Sequence, residues 1–449
     1  MTATVITGCA IVTMDATRTE YADGYVVVDG PLIVAVGNGT APDVDGAVVV
    51  DGSGCLLTPG FVNTHQHLYQ WVTRGLAVDE GLFGWLTALY PVWARMDEEI
   101  VYAASLGALG WLARTGCTTT MDHHYVFPSA GGDVLDASVE AAREVGLRFH
   151  PTRGSMDLGR SSGGLPPDEV VEDLDTILVR THEAIAAHHD PSFGAMLRIG
   201  VAPCSPFSVS AQLLIEAAGL AREHRVSLHT HLAETLDEEA YCRERFGCSP
   251  VDYLDRLGWL GPDVWLAHAV HLDDSAVKKL AATRTGVAHC PSSNARLGAG
   301  IARTRDLRDA GVRVGLGVDG SASNEAGSML EEVRHALLFA RAAGGAEALG
   351  VRDALELATL GGAAVLDRSD EIGSIEPDKL ADLALWRVDD LPHAGIDDPV
   401  AALVLGSPPP LDLLLVNGRT VVDQDHLVTV DEETVRGEVV AAHNRLIRR

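Results

Sequence analysis

Two histidines one residue apart, His65 and His67 in NTHQH, close a short apolar run. Side chains two apart on an extended strand point to the same side, so both imidazoles can face one ion. A surface HxH pair alone says little, but further groups stand in similar surroundings. His231 and Glu234 end the run VSLHTHLAE, and Asp319 ends VRVGLGVDG. A carboxylate after so apolar a run is costly to bury unless it is paired or bound to a cation. Glu234 lies where strand gives way to loop and can reach over such an ion; its alternative is a carboxylate in the first turn of a helix. His229 shares the parity of His231 and competes with it as a ligand, but it lies deeper in the strand and reads as a packed core histidine. Three histidines and one aspartate suit a borderline divalent ion such as Zn2+, with a position left for water. Fe2+ or Mn2+ would also accept these ligand types. Such a cation lowers the pKa of its water toward neutrality, which makes hydroxide available for hydrolysis.

These residues need a scaffold that gathers many strand ends. Between residues 59 and 365, short apolar runs alternate with helical stretches: GFVNTHQH, CTTTMDHH, RFHPTRGS, RIGVAPCS, VSLHTHLAE, VWLAHAV, GVAHCPSS and VRVGLGVDG. Segments such as SAQLLIEAAGLAREH and MLEEVRHALLFARAAGG lie between them. Eight strand–helix units in series predict an α/β fold, a (β/α)8 barrel of the TIM type, with its active site at the C-terminal ends of the strands. Ionisable residues crowd that end: His65 and His67, His123 and His124, Arg153, His231, His268, His289 and Asp319. A doubly wound sheet competes, but its Gly-rich nucleotide loop is missing after the first strand. One of His123 and His124 must point away on a strand, so neither is assigned. Residues 1–58 and 366–449 instead carry β-branched runs divided by Gly and Asp turns, and they are expected to form one composite β-sandwich domain with the barrel inserted between them. The final VDEETVRGEVVAAHNRLIRR reads as a closing amphipathic helix.

Composition narrows the function classes. The 449 residues, 47% hydrophobic and 22% charged, suit a large barrel with a smaller module and argue against disorder. A formal net charge of -29 leaves no basic balance for nucleic acid. No apolar run is long enough to span a membrane. The N-terminal stretch alternates like a strand and lacks the pattern of a secretory signal, so the cytoplasm is the expected setting. The seven cysteines are scattered without a CxxC pair and read as buried free thiols.

Over essentially its full length the chain resembles the amidohydrolase superfamily, through PGFVNTHQH, HTHLAE, LAHAVHL, GVDGSASN and KLADLALW in that order. The resemblance implies His65, His67, His231 and Asp319 as metal ligands. It implies Glu234 and His268 as the acid and helper histidine of the deaminase branch, with His271 a less well spaced alternative to His268. Two-metal members use a lysine at the end of strand four; LRIGVAPCSP has none, so one metal ion is expected. In the implied reaction Asp319 accepts the proton of the attacking water and later delivers it to the leaving amine. His268 orients the hydroxide, and Glu234 donates to the adjacent ring nitrogen.

The segment HLYQWVTRGLAVDEGLFGWLTALYPVWARM, with GCTTTMDHHYVFP and RFHPTRGSMDLG, resembles the 8-oxoguanine deaminases. Adenosylhomocysteine-type deaminases carry a ribose-holding Glu where Gly84 precedes Trp85 and Leu86 here, which favours a free base. Gln70 and Arg153 offer the amide and the donors that a flat, oxo-rich base requires. Trp71, Trp85 and Trp93 read as core. The expected partner is a small heterocyclic substrate, with 8-oxoguanine giving urate and ammonia as the leading reaction. Isoxanthopterin, guanine and amino- or chloro-triazines are the alternatives, and a non-catalytic metal-binding barrel is a reading of a different class. Assembly as a homo-oligomer stays open.

Overall fold

The structure, a computed structural model, describes residues 3–448. Among the described residues eight strands close a parallel barrel: β1 (Phe61–Asn63), β2 (Cys117–His124), β3 (Arg148–Ser155), β4 (Gly200–Pro203), β5 (Leu228–Leu232), β6 (Val264–His268), β7 (Gly286–His289) and β8 (Val314–Leu316). Neighbours follow chain order, and Leu316 opposite Asn63 returns β8 to β1. Every residue of these strands is buried, because helices cover the outside and side chains fill the inside. All eight runs picked out by their alternation with helical stretches are therefore barrel strands.

Many outer helices open on one local signal. Asp97, Asp133, Asp173, Ser210, Thr235, Asp273 and Ser328 each accept the backbone N–H three residues on. A capping oxygen satisfies an amide the helix itself leaves unpaired. The chain direction is thereby reset after most strands, which leaves the loops at the strands' C-terminal ends free to carry chemistry.

The two chain ends meet in one nine-stranded mixed sheet. Thr4–Val12 pairs antiparallel with Glu20–Asp29 and parallel with Cys55–Pro59, and Cys55–Pro59 pairs antiparallel with Leu383–Arg387. Ile6, Val26, Leu57, Leu385 and Leu415 belong to an apolar cluster of this sheet, separate from the main core. At the seam Arg148, where β3 begins, pairs with Asp382 at 3.1 Å, both side chains buried. The expected C-terminal helix is present as Glu432–Ile447, lying against the helix Glu98–Arg114. Among the described residues no helix is long and apolar enough to cross a membrane.

Candidate active site

Past Asn63 the β1 chain leaves the barrel ladder and re-forms a short pairing, Gln66–His67 beside Asp319–Gly320. Asn63 sets this exit. Its Nδ2 donates to Gln66 Oε1 at 2.9 Å and Thr120 Oγ1 at 3.0 Å, and its Oδ1 accepts Val318 N–H at 3.0 Å. Gly317 is required on the facing chain, since a Cβ there would lie 2.6 Å from the Cβ of His65. Four non-glycine residues at the same end of the barrel are left-handed: Ala233 (φ 53), His268 (φ 73), Ala269 (φ 48) and Asp319 (φ 60). Such conformations cost non-glycine residues free energy and tend to mark functional loops.

His65, His67, His231 and Asp319 converge. His65 Nε2 and His67 Nε2 lie 3.1 and 3.2 Å from Asp319 Oδ1, and His67 Nε2 lies 3.1 Å from His231 Nε2. Hydrogen-bond partners fix where the protons are. His67 Nδ1 faces the carbonyl of His123 and His231 Nδ1 that of Cys204, each at 2.7 Å, so both nitrogens must donate. His229 Nδ1 donates to the Trp265 carbonyl at 2.9 Å, which leaves its Nε2 to accept from His65 Nδ1 at 2.8 Å. In the neutral rings all three Nε2 atoms are then bare lone pairs facing a carboxylate oxygen. Apart from the Gly320 N–H, which donates to Asp319 Oδ1 at 2.7 Å, these four acceptors face one another without a proton between them, and a cation among them would relieve their repulsion. Their spacing approaches the roughly 3.3 Å expected between tetrahedral ligands with bonds of about 2.0–2.1 Å. The residues therefore fit a divalent metal ion.

The electrostatics agree. Burial pushes His65 down to about 4, with Asp319 opposing the shift, so the ring is neutral and free to ligate. Burial alone would raise Asp319, but positive charge beside it, on His65 and His67 or on a cation held among them in their place, holds it well below the usual carboxylate range. Its Oδ2 accepts Ser293 Oγ at 2.6 Å. Glu234 behaves oppositely: burial, with Asp319 nearby, lifts it well above its ordinary value. The two carboxyls of one cavity are thus pushed in opposite directions, as acid–base chemistry needs.

Glu234 Oε2 stands 3.6 Å from His268 Nε2, which is 3.9 Å from Asp319 Oδ2. His268 Nδ1 bonds Asn294 Oδ1 at 2.9 Å, leaving Nε2 turned to both carboxyls. His271 instead reaches Ala299 O at 2.8 Å and does not line the cavity. Sequence reasoning missed the residue that aims Glu234. Glu238 accepts the backbone N–H of Ala233 at 2.9 Å and of Glu234 at 3.0 Å, bracing the left-handed turn. Its signal was present, because Thr235 and Glu238 have capping-box spacing. Asn294 and Ser293 had none, since serines and asparagines fill many loops.

Leu82, Trp85, Leu86, Tyr90, Phe207 and Leu297 wall the cavity over these groups. Gln70, on the turn Leu68–Thr73, enters it. Its Oε1 faces Ala322 N–H at 3.4 Å, while its buried Nε2 has no partner. Trp85 lines the cavity, and Trp71 and Trp93 do not. Arg153 does not reach it either: its guanidinium stacks 3.7 Å from the Phe127 centroid and donates to Glu172 at 2.8 Å and Gly154 O at 2.6 Å. His123 packs its ring on His231 at 4.7 Å, whereas His124 turns to Val126 O.

A family model described as the amidohydrolase family matches residues 56–421. The chain is 47% identical to an 8-oxoguanine deaminase of Pseudomonas aeruginosa over 89% of each chain. It is 36% identical to an isoxanthopterin deaminase of an unknown prokaryotic organism, over 95% of this chain and 94% of that one. Among solved structures, an atrazine chlorohydrolase of Arthrobacter aurescens complexed with zinc superposes with a TM-score of 0.93 at 32% identity, covering 98% of this chain and 100% of that one. A model matched over most of the length, a shared barrel and a converging His/Asp cluster lead to one conclusion: the chain belongs to the amidohydrolase family.

Proposed function

We propose that the chain is a hydrolytic deaminase of a purine-like free base, converting 8-oxoguanine and water to urate and ammonia. The observation that carries this reading is the convergence of His65, His67, His231 and Asp319 beside Glu234 and His268 at one buried cavity. His65, His67, His231 and Asp319 would hold one divalent ion, with Zn2+ the best match to three nitrogens and one oxygen. When bound, the ion supplies a Lewis acid that acidifies water.

The chain's own groups do the rest. Asp319 takes a proton from the attacking water and returns it to the departing amine. Glu234 donates its proton to the ring nitrogen beside the attacked carbon, so no full anion develops there. His268 Nε2, turned to both carboxyls, holds the water and passes its second proton back to Glu234 as the new carbonyl forms. The balance is one water consumed, one ammonia released and one proton retained on the ring. Gln70 Nε2, buried without a partner, is a donor for a substrate carbonyl. The hydrophobic wall of Leu82, Trp85 and Leu86 suits a flat base and offers no acid to a ribose. The 47% identity to an 8-oxoguanine deaminase, against 36% to an isoxanthopterin deaminase, supports the oxo-purine over the pterin. Seven buried, unpaired cysteines suit a reducing cytoplasm.

The test is ammonia release by zinc-loaded protein from 8-oxoguanine, guanine, isoxanthopterin, adenosine-type nucleosides and aminotriazines, with Glu234→Gln alongside. Fast turnover of 8-oxoguanine, with kcat lowered about 10²–10⁴-fold by the substitution and zinc retained, is expected. Equal turnover by Glu234→Gln would remove Glu234 from the mechanism. Preference for another compound would replace the substrate and keep the site.

A further inference from the structure

Each metal-facing imidazole has its second nitrogen held, but not by the same kind of group. His67 and His231 donate to the backbone carbonyls of His123 and Cys204. His65 alone donates to a side chain, His229. His229 is fully buried, and its ring stacks on the Trp265 indole at 4.6 Å and 23°. Its Nδ1–H goes to Trp265 O at 2.9 Å, and Trp265 Nε1 donates at 3.0 Å to the carbonyl of Thr64, next to His65. A closed circuit thus joins β5, β6 and the chain leaving β1.

That circuit decides between two states of His65. With the proton on Nδ1, Nε2 is a lone pair facing the site. With the proton on Nε2, the ring would instead donate to Asp319 Oδ1, 3.1 Å away, and two ligands would satisfy each other without a cation. The carbonyl of Trp265 can only accept, so neutral His229 must present a bare Nε2, and that atom selects the first state. We propose that His229 is a positioning residue of the metal centre, fixing the tautomer and ring angle of His65 so that its Nε2 is committed to the ion. This rests on His65, His67, His231 and Asp319 being the ligands.

The experiment uses the full chain stripped of metal, with zinc affinity read by competition against a chromophoric chelator and unfolding of the metal-free protein followed in parallel. His229→Gln can place its carboxamide oxygen where Nε2 lies; His229→Asn is one methylene too short to reach His65 but can still donate toward Trp265 O. The Asn variant should bind zinc about 10–100-fold more weakly, as lost partners of metal-bound histidines do, and the Gln variant within about threefold of the parent. The two metal-free variants should unfold at similar temperatures. Asn binding zinc as tightly as the parent, or Gln losing as much as Asn, would overturn the proposal; the second result would mean that His229 only fills space. Should Asn fail to fold, the ¹⁵N shifts of His65 in the metal-free parent still decide: a proton on Nδ1 supports the proposal and one on Nε2 sinks it. A parent that binds no zinc would overturn the ligand assignment itself, a separate outcome.

Discussion

Glu332 gives a pH test of the loop that carries Asp319. It is fully buried in the first turn of the helix Met329–Gly344 and accepts Asn324 Nδ2 at 2.8 Å and Ser292 N–H at 3.2 Å. Asn324 also donates to Val318 O at 2.8 Å, next to Asp319. Burial outweighs these bonds and pushes the Glu332 carboxyl up to about 8. In the unfolded chain it titrates near about 4.3. A carboxyl whose folded pKa is raised binds its proton more tightly when folded. Its contribution to stability is whole below the unfolded value and is lost as pH rises to about 8, after which nothing more changes. Each unit in that window is worth about 1.4 kcal/mol, so raising pH from 6 to 9 costs about 3 kcal/mol. Glu332→Gln cannot ionise and escapes this loss, but it turns an amide NH2 toward one of two donors, costing about 1–3 kcal/mol at every pH. For a chain of this size the unfolding entropy is roughly 0.9 kcal/mol/K, so 3 kcal/mol is about 3 °C. Scanning calorimetry of both proteins at one scan rate, from pH 6 to 9, should show the variant melting lower at pH 6 and recovering about 3 °C on the parent, nearly all of it below pH 8. A constant gap across the range would refute the reasoning, because Glu332 would then be ionised throughout.

Gly320→Ala tests Gln70 as a substrate reader: a Cβ there would lie 1.9 Å from Gln70 Oε1, so the carboxamide must swing away. KM for 8-oxoguanine should rise about tenfold, the loss of a hydrogen bond worth roughly 1.4 kcal/mol, with zinc content unchanged; an unaltered KM would remove Gln70 from the site. Arg148→Ala strands Asp382 in the seam between barrel and sheet. It should lower stability by about 3–5 kcal/mol while folded, zinc-loaded protein keeps its kcat, and a melting temperature within a degree of the parent would contradict the buried pair. Because burial and Asp319 raise Glu234, which must be protonated to act, kcat should fall as pH climbs through that raised value. The residual activity of Glu234→Gln should lack this alkaline limb, and a limb that survives belongs to another group.

Much of the site was legible as local pattern. HxH at a strand end puts His65 and His67 on one side, and apolar runs ending in His231, Glu234, His268 and Asp319 repeat because every strand of the barrel delivers its last residues to one rim. Strand periodicity states which side chains share a face, but not which face is inside. That is where Arg153 and His124 eluded it. They are paired neighbours on β3 and β2, so they point the same way, and that way is outward, toward Phe127, Glu172 and Val126 O. Their partners His123 and Thr152 take the opposite face. His229 and His231 share a parity that alternation cannot split; they part because His229, deeper in the strand, lies beside Trp265 and His65, while His231, nearer the rim, meets His67. The residue types and their order along the chain determined that a cluster of histidines and carboxylates stands at the end of a barrel. Which partner each ring nitrogen faces, that Arg153 points outward and which way burial pushes each carboxyl came only with the tertiary structure, because each depends on a partner from a strand far away in sequence and on the burial that only closure of the barrel creates.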